Sequence, residues 1–272
     1  MILKIHKPAA PLDLFIDHFL YYKDYIPDHQ LDRFFPDGNT YLVIDLTETP
    51  KSIYDNVSLK EIQSCKRIWF SGIRNQSITI PSGLEQEMIV VNFHKGKSYP
   101  FIKAPLHAFT NLTVDAELAL NSEIQSLRDL LLACVDAEQM FAKMESHFLN
   151  YHIHPLVQNP FIDYSIQCIT QSPEPFTIEK LTQKVGFSHR HFIKIFMEHV
   201  GMSPKQYMKI IRFQKAIHFA EEDPLKTWSE IAMQCGYYDL AHFHHEFKLF
   251  SGFSPKQYRK LHSDFTNYVA VG

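Results

Sequence analysis

Gly201-Met202-Ser203-Pro204-Lys205-Gln206-Tyr207-Met208-Lys209 returns 51 residues later as Gly252-Phe253-Ser254-Pro255-Lys256-Gln257-Tyr258-Arg259-Lys260, with seven of nine residues identical. A repeat of this kind constrains architecture before any propensity argument begins, because each copy is one structural unit used twice. Phe192 and Phe196 recur at the same offset as Phe243 and Phe247. Upstream, Thr177, Leu181, Val185, Gly186 and Phe187 match Thr227, Ile231, Cys235, Gly236 and Tyr237 at an offset of 50, so one residue is inserted after the glycine. The unit is roughly 35 residues long, and there are two of them.

Each unit reads as helix, tight turn, helix. In the second copy Thr227-Trp228-Ser229-Glu230 has capping-box spacing: the threonine hydroxyl can accept the amide three residues on, while the glutamate reaches back to the cap amide. Trp228, Ile231, Ala232 and Cys235 follow at helical spacing, and Gly236 suits the left-handed conformation that closes a helix. Thr177, Ile178, Leu181, Val185 and Gly186 repeat this in the first copy, without the acidic partner at position 180. Ser188 and Asp239 are natural N-caps for the second helix of each unit. Within those helices Phe192 and Phe196, and Phe243 and Phe247, sit one turn apart and face inward. His189, Arg190, Ile193 and Lys194 are left on the outward faces of the first, and Leu240, Ala241, His244 and His245 on those of the second. Ser203-Pro204 and Ser254-Pro255 then open further helices, with serine as cap and proline at the first helical position.

The units are expected at about 177–199 and 227–250, joined by a helix over about 204–221. Eighteen helical residues span about 27 Å at 1.5 Å each, against about 34 Å between successive major grooves on one face of B-DNA. Two outward helices so joined could enter neighbouring grooves. Charge agrees: residues 1–160 carry 14 Lys and Arg against 19 Asp and Glu, whereas 176–262 carry 13 against 8, which points the second stretch toward a polyanion.

At these residues the C-terminal part resembles the AraC/XylS family of bacterial transcription regulators. The likeness runs from about Phe161 to Leu261. It takes in Gly186-Phe187-Ser188, the Phe192 and Phe196 spacing, Gly201-Met202-Ser203-Pro204 with Tyr207, then Arg212 and Ala216, and Gly236-Tyr237 through Lys248 to Tyr258-Arg259. The resemblance implies an all-α domain of seven helices over 159–272 whose two reading helices occupy adjacent major grooves of double-stranded DNA. It places Arg190, Ile193 and Lys194, then Leu240, Ala241, His244 and His245, against base edges. Arg190 suits a bidentate guanine contact and Lys194 a guanine or a phosphate; Leu240 and Ala241 suit a thymine methyl. The second reading helix departs from the family, which tends to carry a polar residue in place of Leu240 and arginine in place of His245, so the first is expected to dominate specificity. Ser188, His189, Lys205, Lys209 and Lys256 are expected at phosphates.

Residues 1–158 read differently. Alternation in Thr40–Asp45, Ile68–Gly72, Ser77–Ile80 and Glu87–Phe93 gives short strands punctuated by Gly, Pro and Asn, hence a small antiparallel sheet or barrel-like domain. From Leu118 to Leu149 the period becomes helical, with Leu120, Ile124, Leu127, Leu131 and Val135 on one stripe, then Met140, Met144 and Phe148, and a break at Asp136-Ala137. The fold class is therefore α+β. This half looks like the sensor or dimerisation domains that precede such DNA-binding domains, and Phe35-Pro36-Asp37-Gly38 resembles a subset of them with no assigned ligand. Trp69, Phe93, His94, Tyr99 and Phe101 could line an effector pocket, although aromatics in strands more often form core.

Neither a cofactor nor a metal is expected. Cys65, Cys134, Cys168 and Cys235 form no C-x-x-C pair, and His242, His244 and His245 fan out around a helix at 100° per residue. The chain contains no G-x-S-x-G, P-loop or H-E-x-x-H motif that would favour an enzyme. An interaction protein that has lost DNA reading is the remaining rival, motivated by the unusual second helix. Charge and proline come too early for a signal peptide, and no apolar run reaches the 18 residues of a membrane span, so the expected setting is the cytoplasm. Expected partners are DNA, RNA polymerase, a small-molecule effector and a second copy of the chain. The operator and the sign of regulation are not written in the sequence.

Overall fold

The computed structural model describes residues 1–83, 86–171, 177–186, 188–261 and 267–271. Phe187 and the Val185 side chain, both part of the repeat, lie outside them. The strands among these residues are β1 (Ile2–His6), β2 (Ile16–Lys23), β3 (Leu31–Phe34), β4 (Tyr41–Asp45), β5 (Lys51–Tyr54), β6 (Glu61–Cys65), β7 (Ile68–Ser71), β8 (Ile78–Pro81), β9 (Glu87–Phe93), β10 (Thr113–Asp115) and β11 (Tyr268–Val271). They form two open antiparallel sheets, ordered β1-β2-β9-β4-β7-β10 and β11-β3-β8-β5-β6. Among the described residues the barrel-like alternative is thus replaced by two open sheets.

Period-two patterning decides which strands were legible. In β4, β7 and β9 apolar residues alternate inward, and Leu42 pairs with both Phe70 and Val91. β1 and β6 are exposed on both faces over most of their length and carry no such signal. One face of the six-stranded sheet is covered by α1 (Ala116–Ala119), α2 (Glu123–Leu132) and α3 (Ala137–Asn150). Ile124, Leu127, Leu131, Met140, Phe141, Met144 and Phe148 from these helices join Phe19, Ile44, Phe70, Val91 and Phe93 in one core. Asp136 divides the two longer helices by capping α3, accepting the Gln139 amide at 2.9 Å. Val135, expected on the buried stripe, stands 82% exposed because it falls in the connection just before that cap.

Seven helices follow among the described residues: α4 (Pro160–Gln171), α5 (Ile178–Val185), α6 (His189–Val200), α7 (Pro204–Glu222), α8 (Trp228–Gln234), α9 (Leu240–Ser251) and α10 (Pro255–Leu261). Their core, built on Phe192, Phe196, Tyr207, Phe213, Phe243, Phe247 and Tyr258, also takes Phe35 and Ile73 from the N-terminal half and Val269 from β11. β11 pairs with β3, Tyr268 opposite Phe34 and Val271 opposite Leu31. A division between residues 158 and 159 leaves this strand with the helical part, whereas its ladder lies in a sheet of the first part.

Candidate nucleic-acid interface

Each repeat unit is built by the same local devices. Gly186 and Gly236 turn the chain at φ +71° and +72°, a region that L side chains enter at a cost. The next helix is then capped from its own sequence: Ser188 accepts the His191 amide at 3.3 Å, and Asp239 accepts the His242 amide at 2.7 Å. Both helices end on a left-handed glycine, Gly201 or Gly252. Ser203 with Gln206, and Thr227 with Glu230, form complete capping boxes. Ser254 and Gln257 exchange the same two bonds, at 2.9 and 3.3 Å. These boxes begin α7, α8 and α10 where the sequence places them.

α6 and α9 each bury one phenylalanine pair and present the opposite face. Phe192, Phe196, Phe243 and Phe247 are at most 1% exposed. His189, Arg190 and Lys194 are exposed on α6, with Ile193 half-buried beside them. On α9, Leu240 is 40% exposed, and Ala241, His244 and His245 are open to solvent. α7 has 19 residues, about 28 Å at 1.5 Å per residue, close to the length expected from the sequence.

The basic side chains divide into two groups. Lys205 and Lys256 are exposed at the starts of α7 and α10. Ser188 uses its hydroxyl as a cap, leaving its oxygen a helix-start role. Lys209, expected at a phosphate, instead forms an ion pair with the buried carboxylate of Glu246 at 2.7 Å, and Arg212 donates to the other oxygen at 2.5 Å. Arg212 also lies 4.1 Å over the Tyr237 ring, whose hydroxyl burial pushes up. Burial by itself would raise the Glu246 carboxyl, but hydrogen bonds from Lys209 and the nearby charge of Arg212 outweigh it and hold the group below the usual carboxylate range. His242 completes the cluster, 3.4 Å from Glu246 and one turn before it. α9 is therefore strapped to α7 by a charged cluster that uses Lys209 as a structural cation.

Sequence reasoning missed Glu246, although a signal existed: it falls on the inward stripe of Phe243, Phe247 and Phe250, where a carboxylate needs a buried partner. Tyr238 was missed too. It stands 96% exposed, immediately before the Asp239 cap and beside the outward face of α9.

The five residues proposed for an effector pocket do not converge. Phe93 and Phe101, 5.6 Å apart, are 1% exposed and pack into the first core. Trp69 is paired with Val43 in the sheet, and the His94 ring lies 3.1 Å from the Asp13 carbonyl. Tyr99 alone reaches a cleft, of about 500 Å³, between Phe15, Gly96 and Pro100 of the first half and Asn159, Phe161, Asp163 and His199 of the second. There its ring stacks on His154 at 4.6 Å and meets the His199 ring at a tilt, 4.0 Å away, and its hydroxyl donates to Glu198. Among the described residues no three His, Cys, Asp or Glu side chains gather as a metal site, and no helix is long and apolar enough to cross a membrane.

Comparison with known proteins finds two family matches. Residues 181–261 match a helix-turn-helix domain family, and residues 4–115 match a domain of unknown function (DUF6597). An uncharacterised HTH-type transcriptional regulator of Haemophilus influenzae is 27% identical over 157 residues, 57% of this chain and 52% of that protein. The HTH-type transcriptional activator RhaR of Salmonella heidelberg is 33% identical over 101 residues, 37% of this chain and 36% of RhaR. The matched region thus spans about half, or less, of these relatives' length. A probable AraC family transcriptional regulator from Rhodopseudomonas palustris is 28% identical, covers 38% of this chain and 96% of its own, and superposes with a TM-score of 0.35.

Proposed function

We propose that this chain, whose residues 181–261 match a helix-turn-helix domain family, is a regulator of the AraC/XylS type that controls transcription by reading duplex DNA with α6 and α9 in adjacent major grooves. The observation that supports this best is the pair of units itself. Each buries one phenylalanine pair, leaves one face of its second helix uncovered, and is joined to the other by a helix of near-groove spacing. Arg190, Ile193 and Lys194 read bases from α6, and Leu240, Ala241, His244 and His245 from α9. Ser188, His189, Lys205 and Lys256 stand toward phosphates. The relatives that match are regulators, and the chain is read as a binding protein rather than an enzyme.

The N-terminal half modulates this binding. The cleft at Tyr99 is the place where a small molecule would touch both halves at once, and the exposed apolar side chains Leu118, Leu130, Leu132 and Val135 are ones that a second copy would cover. RNA polymerase is the further partner of a transcription regulator of this type, and the cytoplasm is the setting in which these partners meet. Selection of duplexes from a random-sequence pool by the full chain tests the central reading. A recovered consensus, bound with an affinity that falls steeply with salt, supports it. No enrichment, with binding insensitive to salt, favours the interaction-only alternative.

A further inference from the structure

Phe35-Pro36-Asp37-Gly38 takes no part in the outward faces of α6 and α9, yet it enters the core between them. Phe35 is 4% exposed, with its ring 6.0 Å from Phe213 and 5.9 Å from Tyr258. Phe213 in turn lies 5.3 Å from both Phe247 and Phe250 of α9. Gly38, at φ +83°, approaches α7 so closely that a methyl group on it would sit 3.0 Å from Tyr207 Cε2. Tyr207 packs 5.6 Å from Phe196 of α6. One turn of the N-terminal half is therefore a single ring away from each reading helix.

That turn is fixed on both sides. Gln214 Nε2 donates to the Pro36 carbonyl at 2.7 Å, and the Phe35 amide donates to the Asn267 carbonyl at 3.0 Å. From the sheet side Lys95 donates to the Asp37 carbonyl at 2.7 Å and to Asn39 Oδ1 at 2.9 Å, while the Tyr41 hydroxyl donates to the Asp37 carboxylate. Each unit is also tied separately to the first half. Tyr99 and Thr110 donate to Glu198 and the Gly201 carbonyl at the first, and Arg33 lies 4.9 Å over Phe253 at the second.

We infer that the Phe35–Gly38 turn is a positioning element that sets α6 and α9 relative to one another, so that the N-terminal half fixes which groove spacing the C-terminal half can read. Close-packed interiors do not absorb a lost ring locally; the neighbours shift. Removal of Phe35 takes one ring from Phe213 and Tyr258 on the α9 side, so α7 and α9 can shift together there, while α6 keeps its own contacts through Phe196 and Tyr207. This inference rests on the DNA reading proposed above.

The test uses the full chain and the duplex it selects from a random pool. One or two base pairs are inserted between the two grooves that a hydroxyl-radical footprint shows protected, and the ratio of affinities is measured. For the unmodified chain an insertion is expected to cost about tenfold or more. Phe35→Ala should shrink that penalty to about threefold or less, and Phe35→Leu should restore most of it. Gly38→Ala, which presses on Tyr207 without emptying the core, should also change the preferred spacing, and it carries the test if Phe35→Ala does not fold. A merely structural role would weaken every duplex alike and leave the ratio unchanged; an unchanged ratio in the folded variants overturns the inference and leaves the DNA reading standing. Failure of the unmodified chain to select any duplex overturns the DNA reading, and this inference with it.

Discussion

Lys209 Nζ lies 2.7 Å from the buried carboxylate of Glu246, so a cation of the helix-turn-helix region is committed to holding α9 against α7. Removing one partner of a buried pair leaves the other uncompensated and costs about 3–5 kcal/mol. Lys209 is 38% exposed and shares Glu246 with Arg212, so its own loss should cost less, about 1 kcal/mol. Glu246→Ala should therefore lower the melting temperature much more than Lys209→Ala. In salt titrations of DNA binding Lys209→Ala should keep the unmodified slope, whereas Lys205→Ala should reduce it by about 0.9. A reduced slope for Lys209→Ala would return that side chain to the phosphates.

Arg190→Ala and Lys194→Ala should each weaken binding to the selected duplex by about 1–3 kcal/mol, with little change in unfolding, because both side chains are exposed. His245→Ala should do less. Gel-shift titrations settle the order, and equal affinities for the unmodified chain and both α6 variants would remove α6 from the groove.

Phe243 is fully buried against Trp228, Tyr237 and Phe247, with ring centroids 5.1–5.8 Å away. Phe243→Ala should cost about 3–5 kcal/mol in denaturant unfolding. Phe192→Ala should fall in the same range, since it is the matching member of the other copy and is 1% exposed.

Burial pushes the His147 imidazole down to about 4, from the ordinary histidine value of about 6.5. The folded state therefore binds fewer protons than the unfolded chain between those values, and stability is lost as pH falls through that window. At most roughly 3 kcal/mol is involved. Melting temperatures at pH 7 and pH 5 should differ less in His147→Gln than in the unmodified chain. His199, lowered by burial as well, acts with the same sign.

The helical half was legible because its signals are local. Glycine turns, serine and threonine caps and phenylalanine pairs each act within one helical turn, and the repeat supplied every one of them twice. Glu246 was overlooked because Arg212 and Lys209, its two closest cationic partners, sit on another helix, 34 and 37 residues earlier in the chain. The role of Phe35 could not be read at all, since the rings that receive it lie at Phe213 and Tyr258. In the first half, strands with one buried face announced themselves, while β1 and β6, open on both faces, did not. The aromatic pocket failed for a related reason: strand alternation shows that Phe93 turns inward, but not that α3 will fill the space above it with Phe148.

The ladder between β3 and β11 joins residues 31–34 to residues 268–271. During synthesis the edge of β3 must wait, unpaired, while more than two hundred residues emerge, and contacts of such sequence separation form late. A ribosome paused before that point would hold a nascent chain with Phe35 unseated and an open strand edge, a species suited to a chaperone and unfit for a promoter.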